Sequence, residues 1–120
     1  MFSAIVNDHV YNPRNVGPLE TATHEGVAGV PGDGPYMVLQ FEVGAGKIVR
    51  AAYQTYGCPG AIACGSMTAQ VLTGRTIEQA LRLEEKDLVL LLGGLPEGKE
   101  HCPQLAIQAL RKALTRSEIP

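Results

Sequence analysis

The chain has 120 residues, of which 45% are hydrophobic, and carries a formal charge of −2 with a pI near 5.9. Its length suits one domain over residues 1–120 with a core of its own, and its composition is too apolar for a disordered chain. Near-neutral charge excludes the electrostatic footprint of a nucleic-acid or anionic-membrane binder, so neither is expected as a partner.

In chain order, Phe2 to Val10 places Phe2, Ile5, Val6 and His9 on one side of a helix, which Asn12 and Pro13 end. The start, Met1 to Tyr11, has no basic leader and carries Asp8, so it does not read as a signal peptide and a cytoplasmic location is expected. Arg14 to Val30 is rich in Gly, Pro and Thr, which predicts loop with a short edge strand near Val27 to Val30. Tyr36 to Val43 is rich in strand formers, and Gly44, Ala45 and Gly46 turn it into a second strand over Lys47 to Tyr56.

Beyond Gly57 the pattern becomes helical. Pro59 to Leu72 is small and apolar and is stopped by Gly74. Thr76 caps a short helix through Leu83, with Glu78 and Gln79 in its first turn. Glu85 to Leu92 reads as another, ended by Gly93; the run Leu88 to Leu95 is too short to span a membrane. Pro103 to Arg116 puts Ala106, Ile107, Leu110, Ala113 and Leu114 on one face, with Arg111, Lys112 and Arg116 near its C-terminus. Strands first and helices after predict an α+β fold: a small, mainly antiparallel three-stranded sheet with helices packed on one face.

Three cysteines cannot form a complete disulfide framework, so free thiols serving metal or sulfur chemistry are expected. Cys58 and Cys102 each precede a proline that opens a predicted helix. Proline suits the first helical position and pushes the residue before it towards the extended geometry of an N-cap. Both thiols would then face free N–H groups and the helix dipole, which favour the thiolate. The competing reading is that of small buried hydrophobes. His101, directly before Cys102, adds an imidazole that can ligate or carry a proton. Cys64 lies inside a helix between Ala63 and Gly65 and reads as packing.

Three stretches together resemble the IscU/NifU-type N-terminal scaffold family over nearly the whole chain. They are Val6 to Gly17 (VNDHVYNPRNVG), Thr55 to Ile62 (TYGCPGAI) and Lys99 to Cys102 (KEHC), the last followed by Leu105 and Ala106. The resemblance implies a scaffold that takes sulfur from a cysteine desulfurase and iron from a donor. It assembles a [2Fe–2S] cluster and passes it to apo iron–sulfur proteins, without being a turnover enzyme. Carried over by position, Cys58 matches the middle ligand cysteine, and His101 and Cys102 match the final pair. Lys99 matches a lysine close to the site. Cys102 is the implied sulfur acceptor and Cys58 its partner ligand.

The chain departs from the family at Val30 to Met37 (VPGDGPYM), where the first ligand cysteine falls on Asp33 and the family's aspartate on Pro35. The implied set is therefore Asp33, Cys58, His101 and Cys102, acceptable to tetrahedral zinc and less usual for a cluster held by thiolates. Asp33 also reads as an ordinary turn residue; the alignment selects ligand. Leu95 to Lys99 reads LPEGK where scaffolds served by a dedicated Hsp70-type chaperone carry Leu-Pro-Pro-Val-Lys, which weakens the expectation of that partner. The insertion of zinc-containing SufU-type acceptors is missing. Two other readings stay open: a zinc-bound sulfur-transfer protein, and a degenerate paralogue that regulates a desulfurase.

Overall fold

The computed structural model describes residues 2–115. The order is α1 (Ala4–Tyr11), β1 (His24–Gly29), β2 (Tyr36–Gly44), β3 (Lys47–Tyr56), α2 (Pro59–Leu72), α3 (Ile77–Leu81), α4 (Glu85–Leu91) and α5 (His101–Thr115). The strands form one antiparallel sheet in the order β1-β2-β3, with the Gly44–Gly46 turn joining β2 to β3 as expected. Ala45 (φ 55°) and Gly46 (φ 78°) supply the left-handed backbone of that tight turn. The register shifts between Glu42 and Val43, where a bulge bends β2.

On β2, Met37, Leu39 and Phe41 are fully buried while their neighbours Val38, Gln40 and Glu42 are only partly covered. That period of two gives the sheet one apolar face, which α2 and α5 cover. Each of those side chains contributes about 1.5–3 kcal/mol of transfer free energy. Close approach of α5 requires Gly26 on β1, because a Cβ there would collide with the Ala109 carbonyl. Gly65 of α2 likewise leaves room for the Tyr53 ring.

The opening helix differs in detail from its pattern. It starts at Ala4 because Ser3 caps it, its hydroxyl accepting from the Val6 N–H at 3.1 Å, so Phe2 lies before the helix. Ile5, expected on the buried side, is 44% exposed; Val6 and His9 face inward against α2. His9 Nδ1 is 2.8 Å from Ser66 Oγ, and the same oxygen accepts the Arg14 N–H at 3.0 Å. Asn15 (φ 62°) accepts the Tyr53 N–H at 3.0 Å, so the segment Asn12–Asn15 is pinned to α2 and β3.

α3 carries the predicted cap, extended to a full capping box between Thr76 and Gln79. α5 begins two residues earlier than Pro103, so Cys102 is not its cap but lies in its first turn. The expected contribution of Arg116 lies outside the described residues. Among the described residues, no helix is long and apolar enough to cross a membrane.

Candidate functional site

Cys58 occupies the joint between β3 and α2. Its backbone is extended (φ −77°, ψ 171°) with Pro59 in the first helical turn, as the Cys-Pro pair predicts. Its carbonyl accepts the Ala61 N–H at 2.9 Å, starting the helix. Cys102 arrives from the opposite end of the chain on α5, its N–H bonded to the Lys99 carbonyl at 3.1 Å. The two Sγ atoms are 3.5 Å apart, and His101 Nε2 is 3.5 Å from Cys102 Sγ. All three donor atoms lie within 4.8 Å of one another.

The two thiols differ in environment. Cys58 is half-buried, and burial opposes its ionisation. The amide of Ala61, the Cys102 thiol, the Gly60 amide and the Lys99 charge together outweigh that and hold its pKa below the ordinary thiol value. Cys102 is fully buried. Burial first, then the neighbouring Cys58 sulfur, pushes its thiol up to about 12, with Lys99 opposing. Of the pair, Cys58 therefore gives up its proton first and Cys102 keeps its own. This corrects the expectation that Cys102 carries the favoured thiolate at a helix N-terminus: it sits inside the first turn and out of water.

The charge of Lys99 favours ionisation of both thiols. Cys64 is fully buried in α2, and burial drives its pKa far above the ordinary value, in agreement with a packing role. Asp33 is not part of the donor group. It is exposed on the turn joining β1 to β2, its N–H donating to the Val30 carbonyl at 2.9 Å. That turn leads into Tyr36, which pairs with Tyr56 just before Cys58, so Asp33 lies at the end of the sheet that bears Cys58.

Gly60 is a site residue that the sequence reading passed over. A Cβ there would stand 2.9 Å from Cys102 Sγ and 3.5 Å from both Cys58 Sγ and the Phe2 ring. The bare backbone is what lets the two sulfurs meet. A glycine inside a helix costs about 1 kcal/mol against alanine, and that cost was the available signal.

The chemistry of the donor set fits a thiophilic metal or an iron–sulfur unit: one thiol whose ionisation is eased, a second thiol in contact and an imidazole at the rim. Fold and site thus define an α+β domain with a Cys–His–Cys group at one end of its sheet. The chain belongs to the NifU-like N terminal domain family, whose profile matches residues 1–118. It is 43% identical over 114 residues to iron-sulfur cluster assembly scaffold protein IscU 1 of Archaeoglobus fulgidus, covering 95% of this chain and 74% of that protein. It is 40% identical over 111 residues to the scaffold protein IscU of Aquifex aeolicus, covering 91% and 71%. Among solved structures, a hypothetical protein matches with a TM-score of 0.73 at 27% identity, covering 94% of this chain and 96% of the other. A solved structure from Fervidobacterium islandicum matches with a TM-score of 0.72. At 19% identity over 95% and 96% of the two chains, that second likeness speaks to the fold alone.

Proposed function

We propose that this chain is an iron–sulfur cluster assembly scaffold, with iron and sulfur as its cargo rather than substrates of turnover. The observation that carries the reading is the meeting of Cys58, His101 and Cys102 within 4.8 Å, in a chain whose relatives bear that function in their names. The cargo is iron or a [2Fe–2S] cluster, held by Cys58, Cys102 and His101. Asp33, exposed on the turn at the same end of the sheet, is the fourth ligand this reading adds. A cysteine desulfurase delivers sulfur, a donor supplies iron, and apo iron–sulfur proteins receive the product.

Cys102 takes up the sulfur. Its thiol is buried in this conformation, so uptake requires the preceding segment to move. Gly93, Gly94 and Gly98, all at positive φ, give that segment its turns. Cys58, fixed between a strand and a helix, stays as the anchoring ligand. Zinc is the second reading, favoured by the single imidazole beside two thiols, a set common in tetrahedral zinc sites.

Anaerobic reconstitution with iron, cysteine and a desulfurase tests the proposal. Charge-transfer absorption in the visible, with iron and acid-labile sulfide bound in comparable amounts, is the expected result. Zinc alone, without sulfide, selects the second reading. Mass spectrometry of the same mixture should show that Cys102→Ser gains no sulfur while Cys58→Ser still gains some. Equal gain by Cys102→Ser and Cys58→Ser would remove Cys102 as the acceptor.

A further inference from the structure

The resemblance puts the position of a third ligand cysteine on Asp33, and the remaining cysteine, Cys64, is buried in α2 outside the donor group. Two thiols are left facing each other. Their sulfurs come from segments 44 residues apart and lie at 3.5 Å, the separation at which one sulfur can attack the other. Gly60 keeps the space beside both sulfurs free of a side chain. A pair held this way can do what a lone thiol cannot.

We propose that Cys58 and Cys102 discharge sulfane sulfur as sulfide: when one carries a persulfide, the other attacks its Sγ and the pair closes to an intramolecular disulfide. The inference rests on the sulfur-accepting half of the reading above. With the sulfane atom on Cys102, Cys58 Sγ attacks Cys102 Sγ. The bond from Cys102 Sγ to the sulfane atom breaks, and its electron pair leaves on that atom, which takes one proton as hydrosulfide. The two cysteine sulfurs are oxidised together by two electrons, and the sulfane atom is reduced by two, so no outside oxidant enters. With the sulfane atom on Cys58 the roles exchange and the products are the same. Bringing the sulfurs to bonding distance needs a shift of about 1.5 Å.

The chemical class of substrate is thus a persulfide, and the product is sulfide released beside the donors that would hold iron. The disulfide must be reopened by a thiol reductant before the next round. Attack on the outer sulfur would instead pass the sulfane atom between the cysteines, and no sulfide would appear. The position of Cys102 Sγ against Cys58 Sγ favours attack on the inner atom, because that atom is the one already in contact.

The test uses the full chain, fully reduced and free of iron and desulfurase, mixed anaerobically with glutathione persulfide as the probe. Released sulfide and intact mass are followed together. The parent chain should release about one sulfide per chain and end lighter by two hydrogens, with a Cys58–Cys102 peptide cross-link that dithiothreitol reverses. Cys58→Ser should hold a stable added sulfur, Cys102→Ser only what its remaining thiol takes from this small donor without a desulfurase, and both should release sulfide at least about tenfold more slowly. Cys64→Ala should behave as the parent, and circular dichroism checks that each variant is folded. A parent chain that keeps its added sulfur without a cross-link would overturn the proposal. So would serine variants that release sulfide at the parent rate, or that carry glutathione in place of sulfur. Because no iron is present, failure to build a cluster leaves this result standing, and failure here leaves the scaffold reading standing.

Discussion

Cys58 and Cys102 each stand before a proline at the start of a helix, yet they enter those helices at different depths. At Cys58 the local rule prevails: Pro59 opens α2, the cysteine stays extended, and its sulfur is left half-buried beside free amides. At Cys102 the same dipeptide is drawn two residues inward. The Lys99 carbonyl captures its N–H, and its side chain and that of Pro103 are buried with Ala106 and Ile107. Proline is tolerated there because N–H groups of the first turn lack helical partners anyway. Packing therefore overrides the backbone preference, and the two thiols acquire opposite proton affinities from one sequence motif.

Alkylation offers the largest expected contrast. Near neutral pH, iodoacetamide should modify Cys58 first, Cys102 at least about tenfold more slowly, and Cys64 about a hundredfold more slowly or not at all. Because the Cys58 pKa is lowered, its labelling rate should rise and level off at lower pH than that of a free cysteine. Peptide mapping of a time course at several pH values reads this directly. Labelling of Cys102 ahead of Cys58 would reverse the assignment of thiolate and thiol.

The next effect comes from forcing the sulfurs apart. Gly60→Ala places a methyl group 2.9 Å from Cys102 Sγ. Affinity for zinc or iron, measured by competition with a chromophoric chelator, should fall by about tenfold or more. Fold stability should change by only about 1–2 kcal/mol, because the helix gain of alanine offsets part of the crowding. Unchanged affinity would mean that the contact between the sulfurs is not what holds the metal.

Asp33→Ala should give the smallest effect, a several-fold loss of metal affinity with no change in melting temperature, since Asp33 is exposed and its side chain is in no ion pair or hydrogen bond among the described residues. Calorimetric titration with zinc checks it. Identical titrations of the variant and the parent chain would leave Asp33 as a turn residue and the donor group as Cys58, His101 and Cys102 alone.

Much of the architecture was legible along the chain. The bounds of β3 and α2, the turn at Gly44–Gly46, the Thr76 cap and the extended backbone at Cys58 all follow from alternation, turn chemistry and proline geometry. These effects act over a few residues and need no knowledge of the rest of the molecule. The resemblance of three motifs likewise marked Cys58, His101 and Cys102, which tertiary structure then brought within 4.8 Å. Other features could be decided only by packing. They are the exposure of Ile5, the early start of α5, the proton held on Cys102, the need for Gly60, and the position of Asp33 outside the donor group. Each depends on which surfaces meet and how much water they exclude, and burial energies are set between segments far apart in sequence, where local preference has no hold.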